Sequence, residues 1–265
     1  MHPAGSTPGV RVERMDHQDS QRGLLAQWIE ESDRIVFFGG AGVSTESGIP
    51  DFRGAEGFYH QDREIPLEQV LSIDFFTVNP QAYWEWFAQE NAREGVAPNA
   101  AHRFVADLER AGRLSAVVTQ NIDGLHQRAG SERVLELHGN WSRLICTGCG
   151  ERFSLSDVDD ARSGAVPRCR ECDSVLRPDI VFYGEMLDSD VLEGAVRAIS
   201  EADLLIVAGT SLVVYPAAGL IDYYAGKRLV LMNATPTPYD SRADLIVREP
   251  VGQVFQELER LGRLP

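Results

Sequence analysis

Short runs of consecutive apolar residues alternate with helical periodicities along most of the chain. Leu24, Leu25, Trp28 and Ile29 recur at helical spacing behind Ser20, which is placed to cap that helix. Residues 34–38, Arg-Ile-Val-Phe-Phe, then form an apolar run that ends in glycines. Asn99 can cap a second helix with Phe104, Val105 and Leu108 inward and Gly112 as its stop. Residues 115–119, 204–208 and 228–232 are further apolar runs. Strands without a polar face, separated by helices, predict an α/β fold: a Rossmann-like parallel sheet with helices on both faces.

Two stretches break this rhythm. Residues from about 54 to 98 are aromatic and irregular, with Trp84, Trp86 and Phe87 on a predicted helix whose rings serve packing. Residues 143–175 hold all four cysteines of the chain, as Cys146/Cys149 and Cys169/Cys172, with nineteen residues between the pairs. Two Cys-x-x-Cys turns can close a tetrahedral shell of four sulfurs around one structural Zn²⁺. Such a shell has no open position for water or substrate, so this metal holds structure and the chemistry lies elsewhere. The organisation expected is a disordered tail over 1–19, a Rossmann-like domain from 20–142 and 176–265 with an insertion at about 54–98, and a zinc-binding small module, 143–175.

Composition narrows the function classes. The 265 residues are 43% apolar, enough for a sizeable core. No apolar run approaches the roughly 18 residues of a membrane span. The first twenty residues are polar and carry no apolar signal region, and cysteines used for metal suit a reducing compartment. A cytoplasmic monomer is therefore expected. The formal charge of −15 opposes direct nucleic-acid binding, which needs clustered Lys and Arg. It serves solubility and favours the approach of basic partners.

In open parallel sheets ligands bind beyond the carboxyl ends of the strands, so the segments that follow each apolar run carry the chemistry. After Phe38 comes a turn with Gly40, Ala41, Gly42, Ser44 and Thr45, where glycines let backbone N–H groups approach a diphosphate and the hydroxyls can add donors. It is not a G-x-G-x-x-G fingerprint, because Thr45 stands at the third glycine position, and this argues against a nicotinamide dehydrogenase. The turn runs on into Asp51, Phe52, Arg53 and Gly54. After Thr119 come Gln120, Asn121, Ile122 and Asp123, polar groups suited to a ribose and a carboxamide; an Asx-type helix cap by Asn121 or Asp123 is the alternative. His138 follows Leu135, Glu136 and Leu137 at the carboxyl end of a predicted strand, where an imidazole titrating near neutrality can act as general base. His126 is expected on the outer part of its short helix, in a structural role. Gly209, Thr210 and Ser211 follow one late strand, and Asn233, Ala234 and Thr235 follow the next; both segments can hold an adenosine moiety.

Taken together these residues resemble the sirtuin family of NAD-dependent protein-lysine deacylases, most closely its bacterial type. The motifs occur in family order: 40–44 (Gly-Ala-Gly-Val-Ser), 48–54 (Gly-Ile-Pro-Asp-Phe-Arg-Gly), 119–123 (Thr-Gln-Asn-Ile-Asp), 137–139 (Leu-His-Gly), the four cysteines, 182–185 (Phe-Tyr-Gly-Glu) and 209–212 (Gly-Thr-Ser-Leu). The resemblance covers the chain from about residue 20 to its C-terminus. It implies that NAD is the cofactor and that acylated-lysine proteins or peptides are the partners, giving nicotinamide, O-acyl-ADP-ribose and free lysine. Ala41, Thr45, Phe52 and Arg53 would lie along the cofactor loop, with Phe52 near the nicotinamide. Gln120, Ile122 and Asp123 would hold the nicotinamide end and Asn121 the reacting ribose. Thr210, Ser211, Asn233 and Val251 would line the adenosine side, with Val181 and Phe182 in the acyl-lysine channel and His138 as the base.

One departure bears on substrate choice. Sirtuins that prefer acidic acyl groups resemble one another in a Tyr-x-x-Arg pair, and the best-matching positions here are Phe87 and Glu90. A glutamate there would repel a carboxylated chain, so acetyl and other neutral acyl groups are expected. Two rival readings share these motifs: protein ADP-ribosyl transfer from the same NAD site, and a non-catalytic zinc- and nucleotide-binding module.

Overall fold

The computed structural model describes residues 17–54, 57–60, 65–92 and 94–262. The predicted tail falls outside them except for 17–19. Helix α1 (His17–Glu30) already begins there, so Ser20 lies in its first turn and does not cap it. Asp19 in that turn complements the positive end of the helix dipole and favours the earlier start.

Among the described residues nine strands follow in chain order: β1 (Ile35–Gly39), β2 (Leu114–Thr119), β3 (Val134–Glu136), β4 (Gly139–Cys146), β5 (Arg152–Ser154), β6 (Leu176–Ile180), β7 (Leu204–Ala208), β8 (Leu229–Met232) and β9 (Leu245–Val247). The remaining helices are α2 (Leu67–Val70), α3 (Ile73–Val78), α4 (Pro80–Asn91), α5 (Ala100–Arg110), α6 (Leu125–Ala129), α7 (Asp159–Ser163), α8 (Ser189–Glu201) and α9 (Val251–Arg260).

Six strands form one parallel sheet in the order β3-β2-β1-β7-β8-β9. This is the doubly wound arrangement, in which the winding reverses between β1 and β7. All residues of β1 and β7 are buried, as their unbroken apolar sequences require. One face of the sheet packs under α1, α5 and α9 through Leu25, Ile29, Val105 and Val254. Phe104 of α5 stacks on Phe255 of α9 with ring centroids 4.3 Å apart. Ile199 and Leu220 cover the other face. Asn99 caps α5 as expected, accepting from the N–H groups of Ala101 and His102 at 2.9 and 3.4 Å.

The two stretches that break the sequence rhythm share one core. Tyr83, Trp84 and Phe87 of α4 pack with Leu144, Phe153, Ala161 and Leu176, and with Cys146 and Cys169. Strands β4, β5 and β6 form the antiparallel sheet of this small lobe. Asn79 caps α4 and Pro80 fills its first position, where a missing N–H costs nothing.

His126 departs from expectation. It is 1% exposed, because its five-residue helix presses Leu125 and His126 inward and leaves Gln127 and Arg128 to solvent. Its ring lies 4.8 Å from that of His102 and edge-on to Phe37 at 5.8 Å. Burial holds His102 down to about 4 and His126 well below its ordinary value, so both are neutral at pH 7. The unfolded chain takes up protons at these sites from pH 6.5 downward, whereas the folded one does not. Their stabilisation is therefore complete above about pH 6.5 and is lost as pH falls towards 4, by on the order of 3 kcal/mol for His102. Denaturant midpoints measured between pH 4 and 7 should fall on this limb and flatten in His102→Gln. A wild-type midpoint independent of pH would contradict the assignment.

Candidate active site

The loops after β1 and β7 meet where the winding of the large sheet reverses. Gly40 N–H donates to the Ala208 carbonyl at 3.0 Å, and Gly42 N–H to the Gly209 carbonyl at 2.8 Å. A Cβ on Gly40 would stand 2.6 Å from Thr210 Cβ, and one on Gly42 would stand 2.8 Å from Gly209 Cα. The glycines are thus required first by the contact between the two loops. That contact opens the crevice in which doubly wound sheets bind ligands.

A cavity of about 880 Å³ runs from this crevice to the small lobe. Ala41, Gly42, Ser44, Thr45, Asp51, Phe52 and Arg53 line it from the first loop, and Gln120, Asn121, Ile122, Asp123 and His138 from the second and third strand ends. Gly209, Thr210, Ser211, Asn233, Ala234, Thr235 and Val251 line it beyond β7 and β8, and Val181 and Phe182 at the small lobe. Of the predicted site residues outside the cysteine cluster, only Gly40 lies behind this wall.

A buried polar network organises the floor. Asp123 accepts from Leu125 N–H at 2.9 Å with one oxygen and from the Ser44 hydroxyl at 2.7 Å with the other. The Asn121 amide donates to Ser44 Oγ at 3.1 Å. Asp123, one residue before the N-cap position Gly124, therefore satisfies the first N–H of α6 and also faces the cavity. Burial raises its pKa, opposed by the Leu125 and Ser44 hydrogen bonds. The Ser44 and Thr45 hydroxyls are committed within the protein: Ser44 donates to Asp123, and Thr45 to the Gly42 carbonyl at 3.0 Å. Gln120 Oε1 accepts from Thr210 at 3.0 Å, while its Nε2 is buried with no partner among the described residues. An orphaned donor in a cavity wall is costly unless a ligand supplies the acceptor. Across the crevice, Arg248 donates to the carbonyls of Asn233 and Thr235 at 2.9 Å each and pins that loop.

His138 Nδ1 lies 2.9 Å from the Gln120 carbonyl. A carbonyl only accepts, so Nδ1 carries the proton and the Nε2 lone pair is left as the basic face. Burial lowers the pKa of this imidazole, partly offset by the Gln120 hydrogen bond, which keeps it neutral and basic at pH 7. Gly139, next in sequence, has φ +76°, and a Cβ there would stand 2.1 Å from the Asp179 carbonyl oxygen. Gly139→Ala should cost more than about 2 kcal/mol, combining left-handed strain with that clash. It should also displace His138; denaturant melts and a paired activity assay would check both, and an unperturbed variant would refute the point.

The same strand pairing ties the histidine to the lobe. Val181 N–H donates to the His138 carbonyl at 3.0 Å. Arg177 grips Glu185 through two bonds of 2.6 and 2.7 Å and donates to the Ile180 carbonyl, while its guanidinium lies over the Phe182 ring. This clamp fixes the segment that carries Val181 and Phe182.

At the far end of the lobe the four cysteine sulfurs lie within 4.8 Å of one another, with Cys146–Cys172 at 3.4 Å and Cys149–Cys169 at 3.7 Å. These are not disulfide lengths. A tetrahedron with Zn–S bonds of about 2.3 Å has edges of about 3.8 Å. The Gly148 and Cys149 N–H groups point at Cys146 Sγ, and the Glu171 N–H at Cys169 Sγ, which stabilises thiolate ligands. The donor set fits one Zn²⁺.

Other lining residues were given no site role from the sequence: Trp86, expected to serve packing, Tyr183, quoted only within its motif, and Trp141 and Glu249 among them. Glu249 is held by an ion pair with Arg22. Of the pair matched to Tyr-x-x-Arg, only Glu90 reaches the cavity. Phe87 is fully buried, edge-on to Trp84 and Trp141 at 4.9 and 6.0 Å. Helical geometry places Trp86, four residues before Glu90, on the cavity face instead.

A doubly wound sheet with a polar crevice at its switch point, joined to a four-cysteine lobe, defines a Rossmann-like protein with a zinc-type module. The Sir2 family model matches residues 40–216. The chain is 47% identical over 234 residues to an NAD-dependent protein deacetylase of Clostridium acetobutylicum, covering 88% of this chain and 95% of the relative. A structure of a Sir2 enzyme superposes with a TM-score of 0.82 at 41% identity, covering 92% of this chain and 99% of that one. A Sir2 complex with a p53 peptide and NAD⁺ superposes at 0.78 with 42% identity, over 90% and 97% of the two chains. The chain belongs to the Sir2 family.

Proposed function

We propose that the chain removes acetyl and other neutral acyl groups from protein lysines in an NAD-dependent reaction, giving nicotinamide, O-acyl-ADP-ribose and the free lysine. The observation that carries this reading is the His138 imidazole, fixed in one tautomer by the Gln120 carbonyl with its basic nitrogen free, in a cavity that also holds the Asp123–Ser44–Asn121 network. The unanswered Gln120 Nε2 and the packed glycine crevice fit a dinucleotide.

When bound, NAD supplies a cationic leaving group, nicotinamide, and the ribose carbon that accepts the acyl oxygen. The chain's own residues do the rest. Asp123, with Gln120 and Ile122, orients the nicotinamide end by accepting from its carboxamide. Asn121 positions the reacting ribose, and Ala41, Gly42, Ser44, Thr45, Asp51, Phe52 and Arg53 enclose it and exclude water. Thr210, Ser211, Asn233, Ala234, Thr235 and Val251 hold the adenosine. Val181 and Phe182 line the acyl-lysine channel, where the substrate backbone can add as a strand. His138 Nε2 takes a proton from a ribose hydroxyl and so activates it for attack on the acyl carbon. Cys146, Cys149, Cys169 and Cys172 hold one structural Zn²⁺ that shapes the small lobe and takes no part in proton transfer.

Incubation with an acetyl-lysine peptide and NAD tests the reading. Nicotinamide release should depend on the acylated peptide and match its loss of mass. Nicotinamide release without deacetylation would favour ADP-ribosyl transfer, and no NAD consumption at all would leave only a binding module.

A further inference from the structure

The adenosine end of the cavity carries a charge that the reaction itself does not use. Glu249, between β9 and α9, lines the cavity together with Asn233, Pro250 and Val251. Both of its carboxylate oxygens accept from Arg22, Oε1 from Nε at 3.2 Å and Oε2 from a terminal nitrogen. The two side chains are 14% and 21% exposed. The pair is held in place, because Gln21 of α1 donates to the Ile246 carbonyl of β9 at 2.6 Å. Arg22 stands outside the lining, so the carboxylate is the side of the pair presented to a ligand.

The groups that could receive an extra anion at this end are already committed. Arg248, the preceding residue, is ion-paired with Asp240 and bound to the Asn233 and Thr235 carbonyls. The start of α9, where free N–H groups would favour a phosphate, is taken by Glu46, whose carboxylate accepts from Gly252 N–H at 2.6 Å. Arg53 and Arg128 also line the cavity but are placed elsewhere: Arg53 lies over the Tyr59 ring, and Arg128 donates to the Val96 carbonyl. Arg22 and Arg248 thus stand against four carboxylates, those of Asp19, Glu46, Asp240 and Glu249. The wall is acidic.

The two nicotinamide dinucleotides differ only at the adenosine 2′ position. A 2′-hydroxyl is neutral and can donate to a carboxylate, whereas a 2′-phosphate brings about 1.5 to 2 negative charges at pH 7. In a crevice partly closed to water, that charge meets Glu249 with little screening. Resting on the NAD-dependent reading above, we propose that the Glu249–Arg22 pair confines this protein to cofactors with a free adenosine 2′-hydroxyl and rejects their 2′-phosphates.

The test is a binding ratio read by calorimetry with ADP-ribose and ADP-ribose 2′-phosphate, neither of which can turn over. For wild type, Kd for the 2′-phosphate should exceed that for ADP-ribose by about tenfold or more, the lower range for a close charge pair. In Glu249→Gln the ratio should fall by about tenfold or more, because the repulsion is gone and Arg22 is released to pair with the phosphate. In Arg22→Gln the carboxylate stays and loses its counter-charge, so the ratio should rise. Each ratio is internal to one variant, so partial loss of folded protein cancels. If Glu249→Gln does not fold, the wild-type ratio and its direction in Arg22→Gln decide. A wild-type ratio of one or less, a ratio unmoved in Glu249→Gln, or a fall in Arg22→Gln would overturn the proposal. Deacetylation of an acetyl-lysine peptide with NAD is run alongside. Protein that binds ADP-ribose selectively yet leaves the peptide intact would refute the deacylase reading and not the proposal, so the two failures are distinguishable.

Discussion

Replacing His138 with alanine is expected to lower deacetylation by about 10²–10⁴ in kcat, the usual contribution of a positioned general base. The fold should survive, because among the described residues the imidazole makes one hydrogen bond, to the Gln120 carbonyl, and fills a cavity wall instead of the core. Loss of that bond costs about 1 kcal/mol, small against the 5–15 kcal/mol typical of a domain. The pattern sought is an unchanged denaturation midpoint and retained NAD binding, with turnover nearly gone. Since burial lowers the His138 pKa, the wild-type acid limb should fall below pH 6.5, as protonation removes the Nε2 lone pair. Full activity in the alanine variant would remove His138 from the mechanism.

Stripping the metal is expected to have an effect of similar size by a different route. Cys146 and Cys169 lie inside the core that also contains Tyr83, Trp84, Phe87 and Phe182. Structural zinc in small modules contributes an apparent 10–16 kcal/mol of folding free energy at neutral pH, more than such a lobe holds without it. Strong chelation should thus disorder β4–β6, move the segment carrying Val181 and Phe182, and abolish deacetylation. Three of the four tryptophans, Trp84, Trp86 and Trp141, belong to or border this core, so their emission should shift with metal loss. Added Zn²⁺ should restore both signals. Metal-free protein with full activity and unchanged emission would show that the site does not shape the cleft.

The parallel sheet was legible because β1, β2, β7 and β8 are apolar on both faces, a pattern that only a doubly covered sheet requires. The four cysteines were legible because two Cys-x-x-Cys turns impose their own geometry whatever surrounds them. What the sequence did not show was tertiary. Residues 54–98 and 143–175 look like separate interruptions, yet Trp84, Phe87, Leu144 and Phe153 close one core, and no local periodicity records that pairing. The burial of His126 has the same origin: α6 has only five residues and is covered by α5 and β1, so an imidazole one step into a polar turn is forced inside. The Phe87 and Glu90 positions show the limit of motif matching, since the helix turns Phe87 into the core and brings Trp86 to the cavity. The glycines were read as making room for a ligand, whereas Gly40 and Gly42 first make room for Gly209 and Thr210.

The central claim is that one cavity couples nicotinamide release to transfer of the acyl group from lysine to ADP-ribose, with His138 as the base. Its most direct test is a product count. Quenched time points of a reaction with an acetyl-lysine peptide and NAD would be resolved by mass into nicotinamide, deacetylated peptide and O-acetyl-ADP-ribose. The three should appear in equal amounts from the first turnover. Free acetate formed without O-acetyl-ADP-ribose, or ADP-ribose attached to protein in place of it, would show that the acyl group is not transferred to ADP-ribose in this cavity.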